Sequence, residues 1–72
     1  MTQRRRKAAK DKFEIGDFVE MVDESRKGFA PPYEGTVTGW SRDPLMVGIT
    51  KRDRKAQSLW HMDNWYVVRR TL

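Results

Sequence analysis

Cysteine is absent from the 72 residues, so neither a disulfide nor a thiolate metal site can brace the fold. A single histidine, His61, leaves zinc with carboxylates alone for company, which is not how zinc sites are built. Long apolar runs are missing as well; the longest span a few residues, against the ~20 a membrane helix needs. The N-terminus is charged without an apolar stretch behind it, so no secretory signal is expected, and cytoplasmic residence is the plain expectation. A chain this short folds one domain at most, and burial only narrowly offsets its chain entropy. Stability is expected from packing, helped where needed by self-association.

What is present is charge, unevenly placed. Residues 1–12 hold Arg4, Arg5, Arg6, Lys7, Lys10 and Lys12 against Asp11, and so account for the whole net charge of +5. The rest of the chain balances, but in two halves of opposite sign. Up to Glu34, six acids (Glu14, Asp17, Glu20, Asp23, Glu24, Glu34) face only Arg26 and Lys27. From Gly35 on, Arg42, Lys51, Arg52, Arg54, Lys55, Arg69 and Arg70 outnumber Asp43, Asp53 and Asp63. The basic character therefore belongs to an arm and one side.

The arm, residues 1–12, is too poor in apolar side chains to repay its own ordering, and is expected to be flexible and disordered. Strand-like runs then follow at 18–22, 35–40, 45–50, 56–61 and 66–70. Gly16-Asp17 marks a turn before the first run, and Asp23 to Pro32 reads as a long loop. Ser41-Arg42-Asp43-Pro44 and Lys51-Arg52-Asp53-Arg54-Lys55 close the next two. Met62-Asp63-Asn64-Trp65 suits one 3₁₀ turn. No window sustains a 3.6-residue apolar period. Five short strands with close turns predict an all-β domain over residues 13–72. Alternation places Val19 with Met21, Gly35 with Val37 and Gly39, and Leu45 with Val47 and Ile49 on core faces. Phe18, Trp40 and Trp60 are then expected to point outward, as a surface for homo-oligomers.

Phe13-Glu14-Ile15-Gly16-Asp17-Phe18-Val19 resembles the F-x-x-G-D-x-V entry of SH3-like barrels of the electron-transport-accessory type. Tyr33-Glu34-Gly35-Thr36-Val37-Thr38-Gly39-Trp40 is similar, without gaps, to the W-Q-G-Q-I-V-G-W stretch of the type II (plasmid-borne) dihydrofolate reductases. The resemblance covers most of residues 13–68 and implies a small five-stranded SH3-like barrel. It also implies an NADPH-dependent reductase acting as a homotetramer, with a central pore and no metal. In that family a lysine two positions after the valine of G-D-x-V assists binding, and the matching position here is Met21. The family's V-Q-I-Y strand lines the pore, and Gln57, Ser58, Leu59 and Trp60 stand opposite it. The motif itself is not kept, and the glutamine amide position becomes Ser58.

No nucleophile–base pair, phosphate-binding glycine loop or paired-carboxylate arrangement stands at usable spacing. The favoured expectation is a non-catalytic SH3-like module that contacts nucleic acid. Arg4, Arg5, Arg6, Lys7 and Lys10 in the arm would neutralise phosphates, where the plainer role is a solubilising tail. Lys51, Arg52, Arg54 and Lys55 would track a backbone beside Trp60, on which a base would stack. Their plainer role is a hairpin tip that guards a sheet edge. The reductase is the alternative, with NADPH as its cofactor. A third expectation is a protein-interaction adaptor using the acidic loop and the outer aromatics.

Overall fold

The structure, a computed structural model, describes residues 8–70. Arg4, Arg5, Arg6 and Lys7 lie outside the described residues. One helical turn, α1 (Ala9–Lys12), precedes β1 (Phe18–Met21), a 3₁₀ turn (Asp23–Gly28), β2 (Glu34–Trp40) and β3 (Met46–Lys51). Then come β4 (Ser58–His61), a second 3₁₀ turn (Met62–Asn64) and β5 (Trp65–Arg69). The five strands form one antiparallel sheet in the order β4-β3-β2-β1-β5. This is the expected small all-β domain. The strands at the two ends of that order, β4 and β5, are not paired with each other, so the sheet is open as hydrogen-bonded. No helix among the described residues is long and apolar enough to cross a membrane.

The entry to β1 shows how the local sequence builds the fold. Asp17 N donates to Glu14 O at 3.0 Å, closing a turn in which Gly16 sits at φ +98°, a conformation only glycine adopts freely. The Asp17 carboxylate is buried and accepts from Glu14 N at 2.9 Å, so the turn is tied from both ends. Arg70 lies over it, with Nε 3.7 Å from Asp17 Oδ2 and Nη1 2.6 Å from Glu14 Oε2. A buried carboxylate is tolerated here because a backbone donor and a guanidinium both face it.

Alternation places the core as expected for Val19, Met21, Val37, Val47 and Ile49, all fully buried. Phe13 joins them, and so does Trp65. Trp65 was expected in the 3₁₀ turn; it is instead the first residue of β5, opposite Met21, and the largest side chain in the core. Burying each such residue contributes roughly 1.5–3 kcal/mol.

Two expected outward aromatics do not point outward. The β2–β3 register shifts between Val37 and Gly39, so Trp40 faces Val47 and packs against the core. A bulge adds one residue to the strand and so reverses which side the following residues face. Trp60 likewise pairs with Val47 from the other side and packs against the core. Phe18 does stand apart from the core residues, half-buried beneath the Arg69 guanidinium at 5.4 Å.

Residues 8–12, expected within the flexible arm, lie on the sheet. Ala9 is 1% exposed, its amide donates to Pro44 O at 2.7 Å, and Lys12 Nζ donates to Met62 O at 3.0 Å. The apolar content of this segment is small, but the Ala9 methyl is enough to join the core.

Candidate nucleic-acid interface

The β3–β4 hairpin, with Lys51 ending one strand and Ser58 beginning the other, carries a groove of about 390 Å³. Lys51, Arg54, Lys55, Ala56, Ser58 and Trp60 line it. Three cations stand there, and no carboxylate is among the lining residues. Arg54 Nε lies 3.5 Å from Asp53 Oδ1 on the exposed tip, an ion pair that solvent weakens. Lys55 forms no ion pair among the described residues. Lys51 is held more firmly: Nζ donates to Ala30 O at 3.1 Å and stands 5.2 Å from the Trp60 ring centroid. Burial and the neighbouring Arg54 push the Lys51 ammonium below its ordinary pKa, with Asp53 opposing them. An ammonium destabilised by its surroundings in this way gains when an anion arrives.

Trp60 forms the groove's inner wall. Its ring meets Phe29 edge-on at 4.8 Å and Trp65 edge-on at 5.4 Å. The indole N–H groups of Trp60 and Trp65 are both buried without a hydrogen-bond partner. With Lys51 over its face and two aromatics at its edges, Trp60 is a structural wall before it is a stacking platform. Phe29, 45% exposed, is the aromatic that a base arriving from solvent would meet first. Phe29 lies in a loop whose charges and turn residues mask it in the sequence. A lone aromatic between Gly28 and Ala30-Pro31 was the available signal.

The other expected contacts separate. Arg52 turns away to Glu34, with Nη1 at 3.6 Å from Oε1, and lines a different cleft with Glu20, Arg26 and Tyr33. Lys10 stands over Trp40 at 5.8 Å, beside neither Trp60 nor the hairpin tip. His61 serves the chain locally: its Nδ1 accepts from Asp63 N at 3.1 Å and opens the second 3₁₀ turn. An accepting Nδ1 places the proton of the neutral ring on Nε2.

The four residues opposite the reductase pore strand have different surroundings in the chain. Gln57 lies flat on the sheet, and its Oε1 accepts from Thr38 Oγ1 at 2.8 Å. Leu59 is half exposed, Ser58 lines the cationic groove, and Trp60 turns to the core. Met21, at the position of that family's lysine, is fully buried.

Among the described residues, no group of three or more histidine or acidic side chains is arranged to hold a metal ion. Set against known protein families, curated proteins and solved structures, the chain matches none of them.

Proposed function

We propose that this domain is a non-catalytic binding module of the SH3-like barrel kind that holds a nucleic-acid backbone in the β3–β4 groove, in the cytoplasm. The barrel reading is supported by the strand order and by the 3₁₀ turn between β4 and β5. Contact between the Trp60 and Trp65 rings also draws the two edge strands together. The observation that carries the function is the groove itself, where Lys51, Arg54 and Lys55 converge without a carboxylate in the lining. Such a site attracts phosphate oxygens whatever the base sequence, and the exposed Phe29 beside it favours single strands.

Three cations neutralising three phosphates of a single strand give a slope of about −2 for log affinity against log salt. Fluorescence anisotropy of a labelled single-stranded oligonucleotide, between about 50 and 200 mM salt, measures it. Arg54→Gln and Lys55→Gln should each weaken binding across all sequences and lower the slope by about 0.7. Phe29→Ala should weaken single strands more than duplex. Trp60→Ala is the wrong probe, since its loss opens the core beside Trp65. Binding that ignores salt, or that survives loss of both groove cations unchanged, overturns the reading.

A further inference from the structure

At the other end of β3 lies a second, smaller cavity of about 150 Å³, walled by α1 on one side and by the β2–β3 turn on the other. Its aromatic wall is Trp40, which packs against the core and also lines the cavity. Lys10 Nζ stands 5.8 Å over that ring. Arg42 also lines the cavity, and neither Lys10 nor Arg42 forms an ion pair among the described residues. The one carboxylate in the lining, Asp43, is engaged: its Oδ1 accepts from Leu45 N at 2.9 Å. Ser41 Oγ accepts from Asp43 N at 3.1 Å, a second local bond within the β2–β3 turn.

We propose that this cavity is a nucleotide subsite, taking one aromatic base against Trp40 and the adjoining phosphate between Lys10 and Arg42. At about 150 Å³ the cavity has room for one base, with the sugar and phosphate left at its mouth. An exposed ammonium resting on an aromatic ring is a weak contact, and a base can displace it by stacking. The displaced ammonium stays tethered at the cavity mouth, next to Arg42, where the phosphate of the same nucleotide arrives. Lys10 therefore exchanges a ring contact for a charge-assisted one, and both halves of the ligand are met at once.

The subsite extends the nucleic-acid reading and rests on it only for the polymer. Its own ligand, an aromatic ring bearing a phosphate, is argued from its own residues. The walls of the two sites are close: Trp40 here and Trp60 in the groove pair with Val47 from either side of β3. One strand several nucleotides long can touch both.

The test is a two-dimensional amide and indole NMR titration of the full chain, with 5′-AMP and inorganic phosphate as the probes. AMP at millimolar concentration should shift the Trp40 indole resonance and the amides of residues 8–10 and 41–46. Phosphate alone should leave the Trp40 indole in place. Lys10→Gln combined with Arg42→Gln, both exposed positions, should weaken AMP about fivefold or more. Arg54→Gln with Lys55→Gln should leave these AMP shifts intact while oligonucleotide binding falls. If AMP binds here but no oligonucleotide binds at any salt, the polymer reading falls and the subsite stands. No AMP shift, shifts centred on Phe29 and Trp60 instead, or the same indole shift with phosphate alone, each overturn the subsite.

Discussion

The amide of Ala9 donates to the carbonyl of Pro44 at 2.7 Å, and this one bond fastens the N-terminal helical turn to the turn between β2 and β3. The methyl group of Ala9 is buried behind it, 1% exposed, on the wall of the cavity beside Trp40. Ala9→Asn should therefore cost about 1–3 kcal/mol by burying an amide without a partner, read as a lower urea midpoint at unchanged slope. Lys10→Leu, one residue on and exposed, should change stability by no more than about 0.5 kcal/mol. Equal effects at the two positions would mean that α1 does not pack on the sheet.

Two buried glycines on neighbouring strands should respond oppositely to alanine. A Cβ on Gly35 would lie 2.7 Å from Thr50 O and 2.8 Å from Ile49 Cγ2, where backbone and core must both move. Gly35→Ala is expected to destabilise by about 1–3 kcal/mol. A Cβ on Gly48 meets first the Gln57 amide, at 2.6 Å, the end of an exposed side chain that can shift at the cost of one exposed hydrogen bond to Thr38. Gly48→Ala should be neutral or stabilising by up to about 1 kcal/mol, because it removes freedom from the unfolded chain. Chemical denaturation of the two variants decides it.

Lys51 makes phosphate binding pH-dependent, with a definite sign. Its pKa lies below the ordinary lysine value, through burial first and Arg54 second. Affinity for phosphate groups should hold at neutral pH and fall as pH rises through that lowered pKa. Lys51→Arg, which keeps its charge, should move the fall to higher pH. The free protein shows the linked effect in the opposite direction. Between the folded and unfolded pKa values the unfolded chain binds more protons, so stability rises with pH there. An affinity profile identical for the wild type and Lys51→Arg would remove Lys51 from the site.

Reduction of dihydrofolate by NADPH is expected to be absent or very weak. The position that would offer a lysine is Met21 in the core, and Ser58 is too short to replace a glutamine amide. Losing a charged contact typically costs about 1.5–3 kcal/mol, so the two losses together remove several powers of ten, although such effects rarely add cleanly. The assay is NADPH oxidation with dihydrofolate at micromolar protein. Clear turnover, lost on Ser58→Ala, would promote the reductase over the binding module.

Of the candidate site, the hairpin tip was legible in the sequence, because a run of five charged residues between two strand-like runs can only be a turn at a sheet end. Its partners were not. Phe29 reaches Trp60 from a loop thirty-one positions away in the chain, and no local pattern records that contact. Lys10 and Arg52 looked like members of the same basic set, yet Trp40 holds the first and Glu34 the second.

By itself the sequence determined the strands, their approximate ends, the glycine turn at Gly16 and the core parity of β1 and β3. These depend on residues within a few positions of one another, where alternation and turn chemistry act directly. Only the tertiary structure decided which way the tryptophans face. Trp40 turns inward because a bulge in β2 reverses its parity, and Trp60 because its partner across the ladder is the buried Val47. Trp65 becomes the centre of the core because β5 pairs it with Met21. Each of these is a matter of register between strands, and register is set by the packing of the whole sheet.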